Sequence, residues 1–255
     1  MSSGIRVYKL GGPALEDPGL LPALAEELRR ARGRVLVVHG GGRYVERALQ
    51  ARGLESRFIA GRRETPPEAM DVVEMVLSGT VNKALAAGLT AAGLPAIGLS
   101  GRDAGLLRAR LQPGLGRVGT PDAVDPRALE AAWAAGLVPV VSPVSSGPDG
   151  GALNVNADEA ALALAVAVHA EALVYLSDVD GVRLGTTTVE SLSADEVRRH
   201  VAGGAIAGGM AMKVETAMQA VAAGVPEVIV AGKARLTGGF AGTRLRLDGS
   251  GEARA

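Results

Sequence analysis

Short β-branched runs that end in glycine, each handing over to a helix pattern, recur from one end of this chain to the other. Ile5–Leu10 runs into Gly11-Gly12, and Arg34–His39 runs into Gly40-Gly41-Gly42. Pro95–Leu99, Val138–Ser142, Leu173–Ser177 and Glu227–Val230 read as further strands. Helices are expected over 17–32, from the Gly42 turn to Gln50, and over 65–77, 80–91, 126–135, 157–170, 194–200 and 212–223. Asp17-Pro18 supplies an N-cap and a first-turn proline for the first of them, and Thr65-Pro66 caps the third. Leu106–Arg110 with Gly116–Thr120 reads as a surface hairpin. Such alternation specifies an α/β fold with a largely parallel sheet covered by helices.

Composition narrows the function. At 255 residues the chain suits one α/β domain or two small fused lobes, with any lobe boundary near 170–174. The 27 basic residues are matched by 27 acidic ones, without the basic surplus of a nucleic-acid binder. With no cysteine, disulfides, thiolate catalysis, iron–sulfur clusters and Cys-ligated zinc are excluded. The start MSSGIRVYKL carries no apolar signal region, and charges or prolines interrupt every apolar stretch before membrane-span length. A soluble cytoplasmic protein is therefore expected. Lysine occurs four times, at Lys9, Lys83, Lys213 and Lys233, and arginine carries the remaining positive charge.

Two of those lysines stand beside glycine turns. Lys9-Leu10-Gly11-Gly12 closes the first strand, where glycine lets backbone N–H groups approach an anion and the lysine adds a point charge. Taken alone, it is equally an ordinary turn with a surface lysine. His39-Gly40-Gly41-Gly42 is harder to dismiss, because three glycines carry an entropic cost that a plain turn does not require. Open sheets bind ligands beyond the carboxyl ends of their strands, where both turns would lie. Gly208-Gly209 opens a helix and places Lys213 one turn in, adding to the positive field of a helix N-terminus. Asn154-Val155-Asn156-Ala157-Asp158, if extended, turns three polar groups to one face.

Other patterns carry less. Gly114–Gly119 matches dinucleotide spacing but lacks a strand before it and a helix after it. No Walker sequence occurs, and His39, His169 and His200 show no metal spacing; His39 suits a hydrogen-bonded strand end.

In order along the chain, Lys9–Gly12, His39–Gly42, Gly61–Thr65, Val81-Asn82-Lys83, Leu99–Asp103, Val138–Pro143, Asn154–Asp158, Ser177–Gly181 and Gly208–Lys213 resemble the amino acid kinase family. GRRET at 61–65 is similar to the GLRVT segment of one branch of that family. EMVLSG at 74–79, LVPVVSPV at 137–144, NVNADEAA at 154–161 and LSDVDGV at 176–182 are similarly close. The wording is nearest to the branch that acts on N-acetyl-L-glutamate.

The resemblance implies an open three-layer αβα sandwich around a largely parallel central sheet. Residues 1–172 would bind the acceptor and dimerise, and 173–255 would bind ATP. The implied reaction moves the γ-phosphoryl of MgATP to the side-chain carboxylate of N-acetyl-L-glutamate. Lys9 and Lys213 would clamp the transferring group and Asp158 would orient them, with no general base needed for an ionised acceptor. Arg63, Asn154, Gly41 and Gly42 would hold the acceptor. Gly11, Gly12, Ser177, Asp178, Val179, Asp180, Gly181, Val182, Ala205, Ile206, Ala207, Gly208 and Gly209 would hold the nucleotide. Mg²⁺ would be carried by phosphate oxygens and water, with no protein ligand assigned.

Departures bear on the acceptor. Arg62 and Glu64 replace apolar residues of the substrate segment, and Arg43-Tyr44 follows Gly42 where the family commonly has a proline-containing turn. One rival is a relative that phosphorylates a carrier-linked aminoadipate or glutamate, for which Arg62, Arg63 and Arg102 would form a docking surface. Those relatives tend to break the glycine at Gly42, which this chain retains. The other rival is a non-catalytic sensing module, which the intact Lys9, Asp158 and Lys213 set disfavours. Only Met1–Gly4 precede the first strand, so a homodimer rather than a hexamer is expected.

Overall fold

The computed structural model describes residues 4–247 apart from 18, 32, 60, 233–235 and 237–241, so Pro18, Arg32, Lys233 and the tail lie outside the described residues. The strands begin with β1 (Ile5–Leu10), β2 (Arg34–His39) and the short hairpin β3 (Phe58–Ile59) and β4 (Arg62–Arg63). They continue with β5 (Ala96–Ser100), β6 (Leu107–Leu111), β7 (Val118–Val124), β8 (Val138–Ser142), β9 (Val144–Ser146) and β10 (Ala152–Val155). The last are β11 (Ala172–Leu176), β12 (Arg183–Leu184), β13 (Thr187–Thr188), β14 (Ser191–Ser193), β15 (Glu227–Ala231) and β16 (Thr243–Arg246). The α-helices are α1 (Leu20–Arg30), α2 (Gly42–Gln50), α3 (Pro67–Glu74), α4 (Asn82–Ala91), α5 (Arg127–Ala134), α6 (Ala157–Ala167), α7 (Ala194–Ala202) and α8 (Gly208–Ala222).

Among the described residues the main sheet has eight strands in the order β14-β16-β15-β11-β1-β2-β8-β5. All its neighbours are parallel except β15 and β16. It runs unbroken from β2 through β1 to β11, in the register Lys9↔Val38 and Lys9↔Tyr175. The central strands are near-continuous Val, Leu and Ile because both faces are covered. Val7, Leu36, Val38, Val141, Leu173 and Val228 point into one core with α6 and α8. Their neighbours Tyr8, Val35, Val37, Val140, Val174 and Ile229 point into the other core with α1 and α4. This strict alternation makes the three-layer αβα sandwich, each fully buried side chain contributing ~1.5–3 kcal/mol.

The expected surface hairpin is more than that. β6 and β7 close with β9 and β10 into a small barrel, and β10 leads directly into α6. The turn between β6 and β7 holds Gly116 at φ +68°, where an added Cβ would stand 2.4 Å from the Thr65 carbonyl oxygen. Thr65 N–H donates to the Leu115 carbonyl at 3.1 Å, and Arg117 N–H donates to the Thr65 carbonyl at 2.6 Å. The Gly114–Gly119 pattern is thus a clamp on the 61–65 segment.

Several boundaries move. The two helices expected over 65–77 and 80–91 are one continuous helix, because Met75–Val81 forms a π-helical stretch instead of breaking at Gly79-Thr80. That helix, Pro67–Ala91, reaches the length and mean hydropathy (1.2) of a membrane span, contrary to the expectation that no segment would. Half of its most apolar stretch is buried, and its surroundings include α2, β5, β8 and β10. α1 starts at Leu20 with Gly19 as N-cap, while Asp17 accepts a hydrogen bond from Gly19 N–H at 2.8 Å. α8 starts four residues earlier than expected, at Gly208, and α6 ends at Ala167 rather than near Ala170.

Candidate active site

The carboxyl ends of β1, β2 and β11 finish level. Their ladder continues one residue into the loops, with Gly11 N–H donating to the Leu176 carbonyl (3.0 Å) and Gly40 N–H to the Leu10 carbonyl (2.9 Å). The Gly11 amide is therefore spent on the sheet. Gly12 is not held this way, and a Cβ on it would lie 3.4 Å from Gly42 N, so the two glycine turns nearly touch. α2 begins at Gly42, leaving its first-turn amides without helical acceptors. This is the geometry of an anion site.

Lys9, the penultimate residue of β1, projects beside these turns. Its Nζ lies 2.7 Å from Asp158 Oδ1, and Lys213 Nζ lies 3.3 Å from Asp158 Oδ2. Lys9 is 6% and Lys213 9% exposed. The extended face expected over 154–158 ends at Val155. Asn156 instead caps α6, its Oδ1 accepting from Asp158 N–H (2.8 Å) and Glu159 N–H (3.4 Å), which sets Asp158 in the first turn. Tyr175 on β11 places its ring 5.8 Å from Lys213 Nζ and donates its hydroxyl to the Asp158 carbonyl at 3.4 Å.

Two of these groups titrate away from their ordinary values. Burial pushes the Asp158 carboxyl up, but Lys9 and Lys213 together outweigh it and hold the group below its ordinary value. Burial, with Lys9 nearby, pulls the Lys213 ammonium down against the opposing pull of Asp158. One carboxylate thus bridges two closely set ammonium groups and leaves the cluster with a net positive charge.

A cleft of about 220 Å³ opens beside the triad. Lys9, Gly12, Gly41, Gly42, Arg63, Asn154 and Asp158 line it, so the predicted acceptor residues and two of the three charged ones share one cavity. Arg63 Nη1 pairs with Glu46 Oε2 at 2.5 Å, and Nη2 donates to the Gly42 carbonyl at 3.1 Å. Its guanidinium stacks 4.6 Å from the Phe58 ring centroid. Asn154 Nδ2 donates to Thr65 Oγ1 at 3.0 Å, tying β10 to the segment that carries Arg63.

Beneath the second turn lies a polar knot. His39 is fully buried, and burial lowers its pKa to about 4. Nδ1 sits 2.7 Å from the Gly40 carbonyl and so donates, leaving Nε2 to accept from Asn82 Nδ2 at 3.1 Å. Asn82 Nδ2 also lies 2.8 Å from the Val140 carbonyl and 3.1 Å from the Leu99 carbonyl, so its two hydrogens are shared among three acceptors. Lys83 reaches the Gly98 carbonyl at 2.6 Å, so the Val81-Asn82-Lys83 segment braces the loop from below.

The segments expected to hold the nucleotide are spread over two places. Ser177 through Val182 form the loop after β11, where Ser177 N–H donates to the Ala231 carbonyl at 2.8 Å. Ser177 Oγ donates to Asp178 Oδ1, and Asp180 packs against Gly232. Val182 is fully buried, its N–H on Thr243 Oγ1, which fits a core role rather than a side-chain contact with ligand. Ala205–Gly209 precede and open α8; Ile206 is buried, whereas Gly208 (φ +59°) and Gly209 have open space around them.

Some contacts escaped sequence reasoning. Arg62 lines the cleft and pairs with Glu159 at 2.5 Å, bridging the β3–β4 hairpin to the first turn of α6. A Cβ on Gly61 would overlap Met212, so this hairpin also seats on α8 next to Lys213. The Asn-x-x-Glu spacing of Asn156 and Glu159 was an available capping signal. Nothing in the sequence marked Tyr175, Glu46 or Met212 as neighbours of the site.

Two ammonium groups joined by one carboxylate thus stand at the carboxyl edge of a largely parallel sheet, beside two glycine turns. The chain belongs to the amino acid kinase family, whose profile matches residues 4–232. It is 46% identical to the acetylglutamate kinase of Rubrobacter xylanophilus, over 96% of this chain and 98% of that one. It is also 46% identical to the acetylglutamate kinase of Deinococcus radiodurans, over 94% of this chain and 99% of that one. A Streptococcus mutans protein matches with a TM-score of 0.86 and 26% identity, covering 96% of this chain and 99% of the other. An N-acetylglutamate synthase from Neisseria gonorrhoeae, solved with coenzyme A and N-acetyl-glutamate, gives a TM-score of 0.81 at 25% identity. That match covers 96% of this chain and 60% of the synthase.

Proposed function

We propose that the protein transfers the γ-phosphoryl group of MgATP to the side-chain carboxylate of N-acetyl-L-glutamate, giving N-acetyl-L-glutamyl 5-phosphate and ADP in arginine biosynthesis. The observation that carries this reading is the Lys9–Asp158–Lys213 bridge opening onto a cleft that also presents Arg63 and Asn154. A carboxylate oxygen attacks the γ-phosphorus while the bond to the bridging oxygen of ADP breaks. The acceptor is already ionised at neutral pH, so no residue has to remove a proton. What the step needs is charge neutralisation and alignment. Lys9 and Lys213 supply two compact ammonium groups for the equatorial oxygens, and Asp158 holds them apart and aimed. The Gly12 and Gly41-Gly42 amides add fixed donors.

Arg63 would take the acceptor's α-carboxylate through its planar fork, with Asn154 lining the same cleft. The loop 177–182 and residues 205–209 would take the nucleotide, with Gly11 acting through its turn rather than its amide. Among the described residues no group of three or more His, Asp or Glu has the arrangement of a metal site. Mg²⁺ would come with the co-substrate, held by phosphate oxygens and water. Residues 1–172 would form the acceptor lobe and 173–255 the nucleotide lobe, in a cytoplasmic homodimer joined through the first.

ADP release measured against N-acetylglutamate, glutamate, N-acetylaminoadipate and aspartate tests the reading. Turnover greatest with N-acetylglutamate is expected. Turnover only with a carrier-linked substrate would replace it, and no turnover with any acceptor would remove the kinase assignment.

A further inference from the structure

The Arg63 guanidinium serves two sides at once. From within the protein it is paired with Glu46 Oε2 at 2.5 Å and with the Gly42 carbonyl at 3.1 Å. Toward the other side it lines the cleft, whereas Glu46 lies outside the cleft lining, on the second turn of α2. The two partners differ in access to water. The Arg63 side chain is 8% exposed and that of Glu46 34%. Burial pulls the Arg63 pKa down, with Glu46 opposing, so the carboxylate offsets part of the cost of burying the cation.

We propose that Glu46 is the resident counter-ion of Arg63 and sets the affinity of the cleft for the acceptor's carboxylate. A carboxylate arriving from the cleft meets a guanidinium whose charge is already offset, and it approaches a second carboxylate across the same fork. Both effects weaken its binding. The pair is kept because an unpartnered buried guanidinium is costly, and because Glu46 holds the fork against Gly42. Glu46 is thus a specificity-determining residue that acts through Arg63 and does not touch the reacting atoms. It tunes the acceptor's anchoring group without altering the phosphoryl clamp, which stands on Lys9, Lys213 and Asp158.

This inference rests on the reading of Arg63 as the group that takes the acceptor's α-carboxylate. The test is Glu46→Gln, which keeps an oxygen to accept from Arg63 Nη1 and removes only the charge. Calorimetric titration of the full-length protein with N-acetylglutamate should show binding tightened roughly three- to tenfold. Steady-state kinetics should show the change in KM and not in kcat. N-acetyl-4-aminobutyrate, which retains the reacting carboxylate and lacks the α-carboxylate, should bind wild type and variant alike. Glu46→Asp, which withdraws the charge by one methylene, should shift affinity the same way by less and stands in if the glutamine variant does not fold. Weaker or unchanged binding of N-acetylglutamate by Glu46→Gln overturns the proposal, as does equal tightening toward both ligands. Binding of N-acetylglutamate without ADP release in the wild type would sink the kinase reading while leaving these comparisons decisive. No binding by the wild type would sink both.

Discussion

Lys9 Nζ stands 2.7 Å from Asp158 Oδ1, so the strand that opens the sheet is tied by charge to the helix that closes the cleft. The other oxygen of the same carboxylate takes Lys213 Nζ at 3.3 Å. Without Asp158 two buried ammonium groups would face each other unpaired. Asp158→Asn should lower kcat by about 10²–10³-fold, because the lysines lose their alignment toward developing phosphoryl charge. It should also cost about 3 kcal/mol of stability in urea unfolding, the scale for breaking a buried ion pair. A kcat within threefold of wild type would mean that the lysines are held by something else.

Lys213 sits one turn into α8 and is absent from the lining of the acceptor cleft. Its removal should therefore leave acceptor binding almost intact and strike the chemical step. Lys213→Ala is expected to reduce kcat at least ~10²-fold while KM for N-acetylglutamate changes less than about threefold. Lys213→Arg should not restore turnover, since the planar guanidinium is not a compact point charge. Initial-rate kinetics with both substrates varied would check this. An unchanged turnover number sinks the role.

How much of this was legible depends on whether the signal was local. The bounds of β2 and β8 could be read because apolar runs there end abruptly at glycine or proline turns. Lys9, Gly41, Gly42, Arg63, Asn154 and Asp158 were legible as parts of a known order of segments, and they meet around one cavity. What failed was non-local. β9 and β10 are short strands that exist because they pair in the small barrel, and β16 because it pairs with β14 and β15. Gly79-Thr80 resembles a helix break by propensity, but tertiary packing carries the helix through as a π turn. Arg62 stood out as a departure from pattern and as part of a possible docking surface, but its partner Glu159, 97 residues away, did not.

That pairing is itself testable. Arg62 reaches Glu159 at 2.5 Å and Thr120 Oγ1 at 2.9 Å, pinning the β3–β4 hairpin to α6 and the barrel. Burial raises the Glu159 pKa against the pull of Arg62, and Glu159 Oε2 is buried without a hydrogen-bond partner. Arg62→Leu should therefore cost about 1–2 kcal/mol by leaving the carboxylate uncompensated. Arg62→Leu combined with Glu159→Leu should recover part of that loss, with a coupling energy near 1 kcal/mol in a double-mutant cycle of urea unfolding. Strict additivity would show that the bridge contributes nothing to holding the hairpin.

The last prediction concerns acid. His39 is neutral in the fold, with a pKa of about 4, because its ring is fully buried and the positive Lys83 adds to that effect. In the unfolded chain it titrates near 6.5. Above pH 6.5 neither state takes up this proton, and the full stability is present. As pH falls from 6.5 toward 4 the unfolded state is protonated and the folded state is not, so stability drops by about 3 kcal/mol across that window. Asp158, held below its ordinary value, adds a further loss at lower pH, in the same direction. His39→Asn keeps a donor for the Gly40 carbonyl and removes the titrating group, so it should start less stable near pH 7 for want of the acceptor toward Asn82. Its stability should then fall much less between pH 6.5 and 4. Urea unfolding at half-unit pH steps separates the two curves. Parallel slopes for wild type and variant would show that the buried imidazole does not govern the acid limb.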